Sequence, residues 1–247
     1  MSAELRRTGD GAHTEHIRQR RASGHNAPAR LTVTRVTTGA QPEPVDFTRA
    51  VASLDEAVVR PEIEVGSIRP PQRLAPYSYA LGVEVAPPEV GGTSSADTDV
   101  TGSAFGRLVL LYDPDGQEAW NGTFRMVAFV QAEVEADLAN DPLLPEVAWE
   151  WLTEALGVPS GSTESAPLLG SDTPAVLALG GTVTATTSVR YGDIAGPPRA
   201  HQLELRASWT ASSPALAGHL EAFCEVLASA AGLPPTGVAT LGRPVGQ

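Results

Sequence analysis

The densest run of chemically capable residues lies between Asp113 and Arg125. Two carboxylates in an Asp113-Pro114-Asp115-Gly116 turn are followed there by Glu118, Trp120, an Asn121-Gly122 turn and Arg125. An indole offers an apolar platform and a guanidinium a two-pronged donor for carboxylate or phosphate, so the segment reads as a candidate binding patch. Arg73 and Tyr77, which lead into the first expected strand, are the residues expected to join Glu118, Trp120 and Arg125 in it. The plainer alternative is a long hairpin connection in which Arg125 pairs with Glu118 and Trp120 caps the sheet edge. Asp113, Asp115 and Glu118 are oxygen donors of the kind that hard cations take. The alternating ligands and closing Glu of a calcium loop do not follow them, and no metal site is predicted.

A second candidate is a surface around Trp149. Glu146, Glu150 and Glu154 repeat every four residues and so share one helix face, either a docking strip for a basic segment or an ordinary solvated face. Nucleophilic chemistry has little to draw on, since no Gly-x-Ser-x-Gly elbow occurs and Cys224 stands five residues after His219, off its helix face. Cys224 is expected to pack as a small hydrophobe. Neither a glycine-rich phosphate cradle nor metal-type Cys/His spacing occurs, so no cofactor is predicted; the pattern leans to a non-enzymatic protein and leaves catalysis open.

The composition of the 247 residues, 42% hydrophobic and 19% charged, is that of a globular chain. All 17 basic residues are Arg, and the net charge of -12 argues against a general phosphate-backbone binder. One cysteine allows no disulfide within the chain, and neither a long apolar run nor a charged-then-apolar leader is present. The expected compartment is the cytoplasm, with no membrane partner.

The charge is unevenly spread. Residues 1–41 carry seven Arg against three acids without apolar periodicity, which predicts a disordered basic arm and leaves 10 Arg against 26 acids in the remainder. Nucleic acid is expected as a partner only through Arg18, Arg20 and Arg21 of this arm, which has no aromatic residue for base stacking. Residues 236–247 read as a flexible tail.

Between arm and tail, residues 46–235 read as one domain. Asp46 is the expected cap of a helix that carries Phe47, Ala50, Val51, Leu54 and Val58 inward and stops before Pro61. Strands are predicted at Tyr77–Val85, near Phe105–Tyr112 and near Thr123–Glu135, with a low-complexity loop at 87–103. A helix follows over Leu143–Leu156, with Leu144, Val147, Ala148, Trp151, Leu152 and Ala155 inward. Beyond it, Leu168-Leu169 and Val176–Leu179 are apolar pieces without an assigned element. Val183, Ala185, Thr187, Val189 and Tyr191 then alternate with polar residues, as do Leu203, Leu205, Ala207 and Trp209, and a helix from Leu216 to Ala230 closes the domain. The order α-β-β-β-α-β-β-α predicts an α+β fold, an antiparallel sheet of about five strands with helices on one face. It resembles the secretion-chaperone-like fold, which implies dimers that bind other polypeptides.

Three segments carry a closer resemblance: Arg73-Leu74-Ala75-Pro76-Tyr77, Asp113 through Arg125, and Trp151-Leu152-Thr153-Glu154-Ala155-Leu156. With them the chain resembles an actinobacterial domain-of-unknown-function family, the one numbered 3000, over about Asp46 to Pro235. The resemblance implies domain limits and no activity, cofactor or catalytic residue. The function expected is that of a protein-interaction or chaperone-like module with a polypeptide partner or a second copy of itself. The alternatives are a small-molecule binder or enzyme built on the Asp113 to Arg125 loop, and an accessory factor touching nucleic acid through the arm.

Overall fold

Alternation at a two-residue period builds the sheet, and helical spacing builds the layer that covers one side of it. The structure, a computed structural model, describes residues 43–85, 104–165, 175–193 and 199–235. Every element below belongs to the unit Val33–Gln247, and residues 1–32 lie outside the described residues. The expected arm, the 87–103 loop, Leu168-Leu169 and the 236–247 tail also lie outside the described residues. In chain order the elements are α1 (Val45–Leu54), β1 (Ile63–Ile68), β2 (Tyr77–Val85), β3 (Ala104–Gln117), β4 (Gly122–Glu133), α2 (Ala136–Ala139), α3 (Leu144–Ala155), β5 (Val176–Val189), β6 (Arg199–Ala211) and α4 (Ala217–Ala230).

The six strands form one antiparallel sheet in the order β1-β2-β3-β4-β6-β5. The α+β architecture with helices on one sheet face is therefore as the sequence predicts, with β1 as an additional edge strand and α2 as an additional short turn of helix. Along β4, Phe124, Met126, Ala128, Val130 and Ala132 are buried and the residues between them are half-buried. The buried register continues through Leu108, Leu110 and Tyr112 on β3 and through Leu205, Ala207 and Trp209 on β6. Against this face α4 crosses β2, β3 and β4, with Leu216, Leu220, Phe223 and Leu227 all buried. Gly106 makes the crossing close: a side-chain carbon there would stand 2.6 Å from the Phe223 ring.

The helix α3 packs on α4 and β5, and α1 closes one end through an aromatic cluster. Phe47 lies 5.6 Å from Tyr77 and 5.9 Å from Tyr112, which stacks on Phe124 at 4.7 Å. Among the described residues no helix is long and apolar enough to cross a membrane.

Several local expectations change. Pro44, not Asp46, caps α1, and the helix ends at Leu54, leaving Val58 84% exposed. On α3 the buried line is Leu144, Ala148 and Leu152, while Val147 and Ala155 face solvent. The Asp113 to Gly116 turn does not reverse the chain. It interrupts the pairing between Tyr112–Phe124 and Gln117–Gly122 as a bulge, and the reversal falls at Glu118–Trp120 and Asn121, whose φ is 55°. The unassigned Val176–Leu179 piece is the start of β5. The far end of that strand is exposed, with Val189 at 44%, and Tyr191 just beyond it is 79% exposed.

Two buried polar groups join distant parts of the core. The Ser53 hydroxyl donates to the Pro214 carbonyl at 2.9 Å and accepts the Leu216 N–H at 2.8 Å, so a residue of α1 satisfies a donor at the start of α4 that has no local side-chain cap. Trp209 Nε1–H donates to His219 Nδ1 at 3.2 Å, which puts the imidazole proton on Nε2, buried without an acceptor among the described residues. Desolvation pushes the His219 pKa down to about 4 from 6.5. A depressed folded-state value means that the unfolded chain takes up the proton first. Stability from this residue is thus fully present above pH 6.5 and is lost as pH falls towards 4, by about 3 kcal/mol in total. In denaturant unfolding followed across that range, the wild type is expected to lose that much relative to His219→Gln. Parallel pH profiles for the two proteins would contradict it.

Candidate functional site

The first predicted patch is divided by the sheet. Tyr77 belongs to the aromatic cluster under α1, on the helix-covered face, whereas Arg125 stands on the opposite face. Arg73 is exposed in the loop before β2, with φ 66°, and Glu118 is exposed at the hairpin end. Only Trp120 and Arg125 are linked, through Thr210: its hydroxyl accepts from Arg125 and donates to the Trp120 carbonyl.

Arg125 does not pair with Glu118. Its Nη1 donates to the Ala178 carbonyl at 2.9 Å and to Thr210 Oγ1 at 3.2 Å, and its Nη2 donates to Ser208 Oγ at 2.6 Å. Ala178 sits at φ 48° in a bulge between Leu177 and Gly180, a left-handed backbone that costs a non-glycine residue about 1–2 kcal/mol. The guanidinium therefore clamps a strained bulge at the head of β5, and desolvation there lowers its pKa from the ordinary arginine value. Asp113 is likewise occupied within its own bulge, by the Asp115 N–H and the Gln117 amide.

The face carrying Arg125 lies away from α1, α3 and α4. Strand register sets Gly82, Arg107, Phe129, Arg206 and Thr182 in one row across it and Ala80, Val109, Val127, Ser208 and Gly180 in the next. Phe105, Val109, Val127 and Phe129 are half-buried at its centre. Phe105 and Phe129 approach to 6.0 Å, and the Arg206 guanidinium lies 5.5 Å above the Phe129 ring while bonding Glu204 at 2.8 Å.

The second predicted surface is brought together, and a strand completes it. Glu146, Trp149, Glu150 and Thr153 follow one another at helical spacing along α3 and line a cleft of about 390 Å³, with Gly181 and Val183 of β5 on the far side and Ser160-Gly161 at one end. Glu154, one turn on, is exposed outside this lining. The two carboxylates are exposed and the indole is half-buried, which offers an apolar wall with negative charge beside it. Gly181 holds the geometry: a side-chain carbon at that position would meet the Trp149 ring at 2.7 Å and would also clash with the Arg206 carbonyl. Pro145, Thr153, Ser160, Gly161, Gly181 and Val183 belong to the site without having stood out in the sequence. The one local signal for them was the Gly180-Gly181 pair within a β-branched run, since glycine in a strand marks a close approach.

Elsewhere the chemistry is quiet. Cys224 is buried on α4 and its thiol is pushed up to about 12, chiefly by desolvation, so it is a packed side chain and not a nucleophile. His201 bonds Thr187 across the β5–β6 hairpin.

An antiparallel sheet backed on one face by α1, α3 and α4, with a cleft between α3 and the edge strand β5, defines an α+β protein. The chain belongs to the DUF3000 family of proteins of unknown function, whose family model matches residues 43–239. No curated protein and no solved structure matches it significantly.

Because Gly181 leaves no room for a methyl group beneath Trp149, Gly181→Ala is expected to lower stability by about 1–3 kcal/mol and to alter the Trp149 environment. Urea unfolding and near-ultraviolet circular dichroism measure the two effects. An alanine variant as stable as the wild type with an unchanged spectrum would contradict this packing.

Proposed function

We propose that this protein is a cytoplasmic protein-interaction module, chaperone-like in that it holds a segment of another polypeptide at the cleft between α3 and β5. The observation that carries this reading is the convergence of the Trp149 wall with Glu146 and Glu150 beside a terminal strand of the sheet. An aromatic anchor with flanking charge suits a polypeptide side chain that has an apolar stem and a polar end. Glu154 extends the same negative strip beyond the cleft. A lone buried cysteine also suits a reducing compartment. A pulldown from cell extract tests the reading with tagged wild type and the double variant Trp149→Ala/Glu150→Gln. A discrete polypeptide recovered by the wild type and lost from the variant is expected. Equal recovery by both, or none by either, would overturn it.

A specific observation favours self-association as a second reading. The sheet face opposite α1, α3 and α4 carries Phe105, Val109, Val127 and Phe129, all half-buried, together at its centre, apolar surface of the kind that marks an interface. Light scattering over a concentration series should then give twice the monomer mass, and Val127→Glu should return the monomer. A wild type that stays monomeric throughout removes this reading.

A further inference from the structure

The two edges of the sheet are protected to different degrees. The edge strand β1 is short, carries Glu64 and lies between Pro61 and the Pro70-Pro71 pair. The other edge, β5, is 14 residues long. At its head the chain covers its own edge: Ser165 N–H donates to the Val176 carbonyl at 3.0 Å and Leu179 N–H to the Thr163 carbonyl at 2.9 Å. That cover stops at the bulge. From Gly180 to Val189, β5 pairs with β6 on one side, and among the described residues nothing pairs with the other. This stretch, Gly-Gly-Thr-Val-Thr-Ala-Thr-Thr-Ser-Val, contains no charge and no proline, the devices that usually keep an edge from accepting another strand.

We infer that the outer edge of β5 from Gly180 to Val189 is a strand-addition site for an extended polypeptide segment with Lys or Arg at alternate positions. The inference rests on the reading of the α3–β5 cleft as a polypeptide site, and adds the mode of binding and the class of partner. An added strand lies about 4.8 Å outside β5, with side chains alternating between the two sheet faces. On the helix side these side chains pass beside Val183 and over the cleft. There Glu146 and Glu150, about 6 Å apart along α3, take the cationic ends and Trp149 takes the alkyl stems. On the other side they meet the row Thr182, Thr184, Thr186, which suits small or β-branched residues.

Charge selects this occupant over a second copy of the chain. Pairing β5 with its own copy about a two-fold axis would place two α3 helices in one layer, with Glu146, Glu150 and Glu154 of each facing the other set. Residues 42–247 hold 10 Arg against 26 acids, so the long-range field also favours a cationic strand.

The test uses the full-length protein and fluorescence anisotropy of labelled peptides of about ten residues: one alternating lysine and threonine, one of the same composition with the lysines in a block, and one with glutamate for lysine. The alternating peptide is expected to bind at least about tenfold tighter than either control and to weaken as salt is raised. The variant Glu146→Gln/Glu150→Gln should weaken it by about tenfold. Thr184→Pro and Ala185→Pro complete the set, because adjacent residues direct their N–H groups to opposite sides of β5. One of the two should block the outer edge while leaving the fold intact by circular dichroism. Equal binding of alternating and block peptides, no binding of either, or alternating-peptide binding indifferent to both prolines would overturn the inference. If no peptide binds while extract still yields a partner that depends on Trp149, strand addition falls and the cleft reading stands.

Discussion

Phe223 lies against the backbone of Gly106 closely enough that no side chain could stand there, and the rest of the architecture is arranged around that contact. It seats α4 on the middle of the sheet, across β2, β3 and β4. With α4 fixed, α3 can occupy only the β5 side of the same layer and α1 only the opposite end. All three long helices then lie on one face. The opposite face, with none of those three helices against it, holds half-buried aliphatic and aromatic residues at its centre.

The same layering makes the two ends of β5 different in kind. Its head lies under α3 and is held by a bulge, by Arg125 and by the 163–165 segment. Its tail is exposed from Thr184 to Val189. Arg125 has the residue type of an anion fork, yet three neutral oxygens already hold it, one from the β5 backbone and two from β6 side chains. It is an example of a charged side chain with a structural task where its chemistry alone would suggest recognition.

Much of this could be read from the sequence because the strongest periodicities are real. Leu216, Leu220, Phe223 and Leu227 mark α4, and the Leu203 to Trp209 alternation marks β6, since both elements bury a full face. Where the reading failed, a local geometry had broken the period. Val176 and Leu179 are both buried although three residues apart, because the bulge at Ala178 shifts the phase of β5 between them. The strand β1 has only Ile63 and Val65 to signal it, too few for an alternation to show. Asp113 to Gly116 has the chemistry of a turn and does form a local turn, but within a ladder that continues beyond it. The cleft joins Trp149 to Gly181 across distant sequence, and no one-dimensional pattern encodes the distance between a helix and an edge strand. Its α3 half was legible as Glu146, Trp149 and Glu150, and its β5 half was not.

The bond from Ser53 to Leu216 gives the fold a direction in time. A chain that emerges from the ribosome amino end first presents α1 long before its partner exists, and β2, β3 and β4 are complete while the helix that covers them is still unmade. Phe47, Leu108 and Met126 must therefore wait in water or in transient company until α4 is released. Closure of this domain is thus a late event, and a ribosome stalled between β6 and Leu216 would carry the whole sheet without the helix that seats on its middle.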